Sequence, residues 1–113
     1  MNRFEYRIYD IVYENIINNK KTIEYRLLND KSERIKPGDE ILFKVIDNDN
    51  KSILVNVTKK YIYNNIDELW NSNNTSNNIL NYSKEEFTNT LYDIFGKEKV
   101  INSKIVGIEF KKI

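Results

Sequence analysis

Cysteine, histidine and alanine are absent from the 113 residues, proline occurs once and glycine three times. Without cysteine there is no disulfide staple, no thiolate nucleophile and no thiolate metal site. Without histidine there is no Ser-His nucleophile and no imidazole ligand. Acid–base chemistry is left to Glu, Asp, Lys or Tyr, and no metal or cofactor is expected. A membrane-length apolar run is missing too. The opening MNRFEYRIYD is charged within three residues, so neither a signal peptide nor a membrane span is expected, and a cytoplasmic protein is the default. The lack of alanine beside abundant Asn, Ile, Lys and Tyr reads as the codon bias of an AT-rich genome. Asn56-Val57-Thr58 and Asn73-Asn74-Thr75 are then chance matches to the glycosylation pattern.

A length of 113 residues without a linker predicts one domain, 1–113, large enough for a single core. The net charge of +1 is nearly neutral but uneven. Lys20 to Lys36 holds six basic and three acidic residues, whereas Tyr61 to Gly96 holds one basic and five acidic. That is a modest positive patch, a weaker pointer to nucleic acid than a strongly basic domain gives.

The patch lies in Lys20 to Phe43, KKTIEYRLLNDKSERIKPGDEILF. Alternation across Thr22 to Leu28 predicts a strand with Ile23, Tyr25 and Leu27 on one face and Thr22, Glu24 and Arg26 on the other. An apolar face would back a polar one. Lys31, Arg34 and Lys36 are assigned to a loop, and Pro37-Gly38-Asp39 to a turn. From there Glu40 to Ile46 reads as a strand.

Arg3 to Ile8 reads as the first strand and Asp10 as the cap of a short helix through Ile17, stopped by Asn18-Asn19. Ile41 to Ile46 and Ser52 to Thr58 form an expected hairpin across the loop Asp47 to Lys51. That loop mimics a calcium loop but lacks its Gly and its final Glu. Asn65 with Glu68 caps a helix that turns Ile66, Leu69 and Trp70 inward. Asn71 to Asn81 is a polar loop with little apolar surface to hold it down. Ser83-Lys84-Glu85-Glu86 is a capping box, after which Phe87, Leu91, Ile94 and Phe95 form a buried stripe ended by Gly96. Lys104 to Lys111 closes the chain as a strand. The pattern predicts an α+β fold, a small mixed and largely antiparallel β-barrel with about three flanking helices.

In order and spacing, the helix leading into Asn18-Asn19-Lys20-Lys21-Thr22, Glu24-x-Arg26, Lys36-Pro37-Gly38-Asp39, the Ser83 to Gly96 helix and Ile105-Val106-Gly107-Ile108-Glu109-Phe110 together resemble an ASCH domain of the PUA-like superfamily. The likeness runs over nearly the whole chain. The family usually has Gly where Asn19 stands, a mild departure because Asn also tolerates the left-handed backbone. The resemblance implies a cleft lined by Lys20, Lys21, Glu24 and Arg26 that binds RNA or a nucleotide-like ligand. Arg26 offers a planar fork, Lys21 a point charge and Glu24 an acceptor for base amino groups. The plainer reading is a surface Glu24–Arg26 ion pair worth about 0 to 1 kcal/mol. If the cleft binds such a ligand, Arg26→Ala is expected to weaken binding and leave folding nearly intact.

Asn29 can read a base edge or hold a turn. Trp70 can stack on a base or pack in the core. Tyr82 can meet a ligand or staple the helix that follows it. A second function class is an enzyme in the same cleft, similar to the small bacterial ASCH amidohydrolases that deacylate acetylated cytidine with a Lys, a Thr and a Glu. Lys21 matches the Lys, but the Thr position falls on Glu24 and the Glu position near Leu80. Lys21 with Glu24 would then be the catalytic pair. Some ASCH proteins are ribonucleases, for which Lys21 with Tyr25 or Tyr82 is a candidate set. Oligomeric state is not legible.

Overall fold

The computed structural model describes residues 1–72 and 82–113. Among them, five strands and five helices follow in the order β1 (Arg3–Ile8), α1 (Asp10–Ile17), β2 (Ile23–Leu27), α2 (Asp30–Arg34), β3 (Glu40–Val45), β4 (Asn48–Tyr63), α3 (Ile66–Trp70), α4 (Lys84–Phe95), α5 (Lys97–Ile101) and β5 (Ile105–Lys112). No helix among the described residues is long and apolar enough to cross a membrane. The expected second sequon and most of the expected Asn71 to Asn81 loop, with Leu80, lie outside the described residues.

The strands form one sheet in the order β1-β3-β4-β5-β2, with β1 and β3 parallel and the other neighbours antiparallel. Strand β4 curls it. Its first half pairs with β3 and its second half with β5, and its register against β5 slips between Val57 and Lys59. An extra residue at such a bulge bends and twists the strand, which turns the sheet back on itself and brings the edge strands β1 and β2 together. Among the described residues no backbone ladder joins those edges. Side chains span the seam instead: Arg26 Nη2 donates to the Arg7 carbonyl at 2.9 Å, and Lys31 Nζ donates to the Glu5 carbonyl. This is the α+β, largely antiparallel half-barrel that the alternation predicts, with five helices rather than three.

Two cores flank the sheet. Tyr6, Ile8, Ile41, Phe43, Val106, Ile108 and Phe110 belong to the inner one, while Ile23, Tyr25, Leu27, Tyr63, Phe87, Leu91 and Ile105 pack under α3, α4 and α5. Strand β5 therefore feeds both, and alternate side chains go to opposite sides. Gly107 makes room on the helix side, where a Cβ would sit 3.1 Å from a ring carbon of Tyr25.

Several local expectations need correction. Asp10 is the first residue of α1, and Tyr9 occupies the cap position without a side-chain bond. Lys31 and Arg34 lie in α2 rather than a loop, because Asn29 and Ser32 form a reciprocal capping box. The Asp47 to Lys51 loop shrinks to a tight turn at Asp47, φ 63°, and β4 takes up the rest. Helix α5 had no clear signal in sequence. Ile94 is half exposed, so the α4 stripe is narrower than its spacing suggested. Asn19 (φ 61°) and Gly38 (φ 97°) do hold the left-handed conformations expected of them.

Candidate functional site

Strand β2 sends Ile23, Tyr25 and Leu27 to the helix side, which leaves Glu24 and Arg26 pointing into the half-barrel. Their partners on β5 are Ile108 and Val106, both fully buried members of the inner core. Directly opposed residues share a face, so the polar face of this strand looks inward at the seam. Glu24 is 7% exposed and Lys21 5%. The surface ion pair foreseen above is in fact a desolvated cluster.

Its geometry is tight. Glu24 Oε2 accepts from Arg26 Nη2 at 2.9 Å and from Arg26 Nε at 3.2 Å, a two-pronged contact, while Lys21 Nζ lies 3.3 Å from Glu24 Oε1. Lys21 Nζ also donates to the Ile23 carbonyl at 2.7 Å. Lys21 reaches this point because Asn19 turns the chain sharply after α1, with the Lys20 and Lys21 amides both bonded to the Asn15 carbonyl. Burial alone would push the Glu24 carboxyl up, but the charges and hydrogen bonds of Lys21 and Arg26 outweigh it and hold it below its ordinary 4.5. Burial lowers the Lys21 ammonium, with Glu24 drawing it partly back up.

Arg26 serves the fold as well as the cluster. It bonds Glu24, spans the seam to Arg7 and lies over the Tyr6 ring, 4.4 Å from its centroid. Its removal is therefore expected to cost stability as well as binding, where the sequence alone led to the expectation that folding would be nearly intact.

A cavity of about 340 Å³ opens beside the cluster. Lys21, Glu24 and Arg26 supply its charged end, and Ile8, Val12, Phe87 and Leu91 its apolar walls. Tyr9, Ile11, Ile46 and Ile94 line it and are 41–59% exposed, so they form its rim. Arg7 also lines it, tied to Asp49 at 2.8 Å, and so does Thr90, whose hydroxyl donates to the Glu86 carbonyl.

Of the residues singled out in sequence, Lys21, Glu24, Arg26 and Tyr82 line this cavity. Lys20 is exposed and is not among the lining residues. Asn29 caps α2 by accepting from the Ser32 amide at 2.9 Å, which occupies its side chain. Trp70 packs on Phe87 with ring centroids 5.9 Å apart and is not itself among the lining residues. Tyr25 lines the cavity, but burial, with the Tyr63, Tyr61 and Glu109 charges behind it, pushes its hydroxyl far up, which unfits it as a base near neutral pH. The residues that sequence did not bring forward are Tyr6, Arg7 and Lys31. Tyr6 looked like one more alternating strand residue, and nothing local says that it underlies Arg26.

Solved structures share this fold. The ASCH domain of Lactobacillus crispatus matches with a TM-score of 0.68 at 12% identity, over 97% of this chain and 79% of that one. The chain has the ASCH-domain fold. An ASCH protein of Zymomonas mobilis gives 0.65 at 14%, over 95% of this chain and 66% of that one. Two ASCH-like structures agree more fully in extent: hypothetical protein PH0355, with a TM-score of 0.82 and 27% identity over the whole of both chains, and PF0455 from Pyrococcus furiosus, 0.74 and 26% over 100% and 98%. No protein-family model and no curated protein matches the chain.

Proposed function

We propose that this ASCH-fold chain binds RNA or a nucleotide-like ligand by taking a base into the seam cavity, without chemistry of its own. The buried Lys21–Glu24–Arg26 cluster at the charged end of that cavity carries the reading. Arg26 spends Nε and Nη2 on Glu24 and the Arg7 carbonyl, which leaves its Nη1 to donate to a base edge beside the remaining lone pairs of the Glu24 carboxylate. Phe87 and Tyr82 offer ring surface to a base face, and the volume falls in the range of small-molecule sites, roughly 300 to 1,000 Å³. Residues 1–113 act as one domain in this reading, in the cytoplasm, where RNA and nucleotides are met.

The test is a titration with modified nucleosides and short RNAs that follows both retention and product formation. Arg26→Lys should weaken binding by about 1 to 3 kcal/mol, since an ammonium cannot reproduce the fork, while its charge still faces Glu24 and the fold persists. Unchanged affinity in that variant, measured on folded protein, would refute the reading.

One observation favours amide hydrolysis in the same cavity as a second reading: burial lowers the Lys21 pKa, the direction a lysine base requires. Glu24→Gln separates the two. A binding module should keep its ligand with altered base preference, whereas an enzyme should bind yet lose turnover by about 100-fold or more.

A further inference from the structure

The seam carries more positive charge than the base-binding cluster needs. Lys31 Nζ lies 4.1 Å from the Tyr6 ring centroid, on the same ring as Arg26 at 4.4 Å. The two cations grip alternate carbonyls of one strand edge, Glu5 and Arg7. Two residues along a strand is roughly 7 Å, so the charges stand within one small anion's reach of each other. Lys21 and Arg26 share one buried carboxylate, Glu24, and Lys31 makes no ion pair with it among the described residues. Glu5, next along β1, gives its carboxylate to Lys44 at 2.9 Å, and no ion pair to Lys31 occurs among the described residues. Burial, then repulsion from Arg26, lowers the Lys31 ammonium, and the Glu5 carboxylate draws it partly back up. The hydroxyl of the shared Tyr6 ring is buried and makes no hydrogen bond among the described residues.

Two like charges on one ring, with more cation around them than the Glu24 and Glu5 carboxylates balance, are the electrostatic complement of an anion. Arg26 lines the base cavity, and Lys31, which is not among the lining residues, shares the Tyr6 ring with it. We propose that Arg26 and Lys31 form a phosphate site at the seam, which receives a phosphate of the ligand whose base fills the cavity. The placement beside the base rests on the base-binding reading above; the anion site itself does not. The ligand is thereby a nucleotide or an RNA phosphodiester rather than a free nucleoside.

The test compares each common ribonucleoside with its 5′-monophosphate and with a short oligoribonucleotide by calorimetry, and adds inorganic phosphate followed through backbone amide shifts. Wild-type protein should hold phosphorylated ligands at least about 10-fold tighter than nucleosides at low salt. Lys31→Gln should bring that ratio close to one with little change in nucleoside affinity, and Lys31→Arg should restore it. A preference for the oligoribonucleotide over the monophosphate identifies a phosphodiester, and the reverse a monoester; either supports the site. Equal affinity for nucleoside and phosphorylated ligands in wild type, or a ratio that survives in Lys31→Gln, overturns it. If no base-bearing ligand binds, the base-binding reading fails on its own. The anion site then stands if inorganic phosphate shifts the amides around Glu5, Arg7 and Lys31 in wild type but not in Lys31→Gln, and falls if it does not.

Discussion

Replacing Glu24 with leucine is expected to destabilise the protein by about 3 to 5 kcal/mol, because Lys21 would be left buried, and Arg26 half-buried, without their carboxylate. Chemical denaturation followed by circular dichroism measures this. The loss should depend on pH in a defined direction. Glu24 has a folded pKa below its ordinary 4.5, so its contribution is complete above that value and disappears as pH falls through the lower folded value. The gap between wild type and Glu24→Leu should therefore be full at neutral pH and shrink below pH 4.5. A cost under about 1 kcal/mol would mean that the cluster is solvated and is only a surface ion pair.

Phe43→Ala should cost a similar amount, about 3 to 5 kcal/mol, by a different mechanism. Phe43 is 0% exposed at the centre of the inner core, with the Tyr6 and Phe110 rings 6.5 and 5.3 Å away. Truncation leaves a void that stiff strand backbones on both sides cannot close. Phe43 does not line the cavity, so the remaining folded protein should still bind a nucleoside, while its stacking on Tyr6 links it to the ring beneath the seam cations. Equal stability of the variant and wild type would place Phe43 outside the core.

The two clusters differ in how far the sequence reveals them. Strands β1, β2 and β5, helix α4 with its Ser83 box and the turn at Gly38 are local patterns, and period, cap residues and a single glycine are enough to read them. What stayed hidden depends on the curl of the sheet. Nothing near Glu24 says that the face it shares with Arg26 turns inward, because that follows from the Val57/Lys59 slip more than 30 residues later, which brings β1 and β2 together. Lys21, Glu24 and Arg26 were legible as a group since six residues hold all three. Tyr6 and Lys31 were not, since they meet Arg26 only across the seam. Trp70 and Asn29 carried signals for both packing and binding, and the structure gives each a packing or capping partner.

The central claim is that a base enters the seam cavity against Lys21, Glu24 and Arg26. Backbone amide shifts of the labelled protein during titration with a binding nucleotide test it most directly. Shifts confined to residues 5–12, 21–26, 31 and 87–95, saturating together and largely suppressed in Arg26→Lys, are the predicted result. A saturable set of shifts on some other surface, with residues 21–26 unmoved, would contradict it.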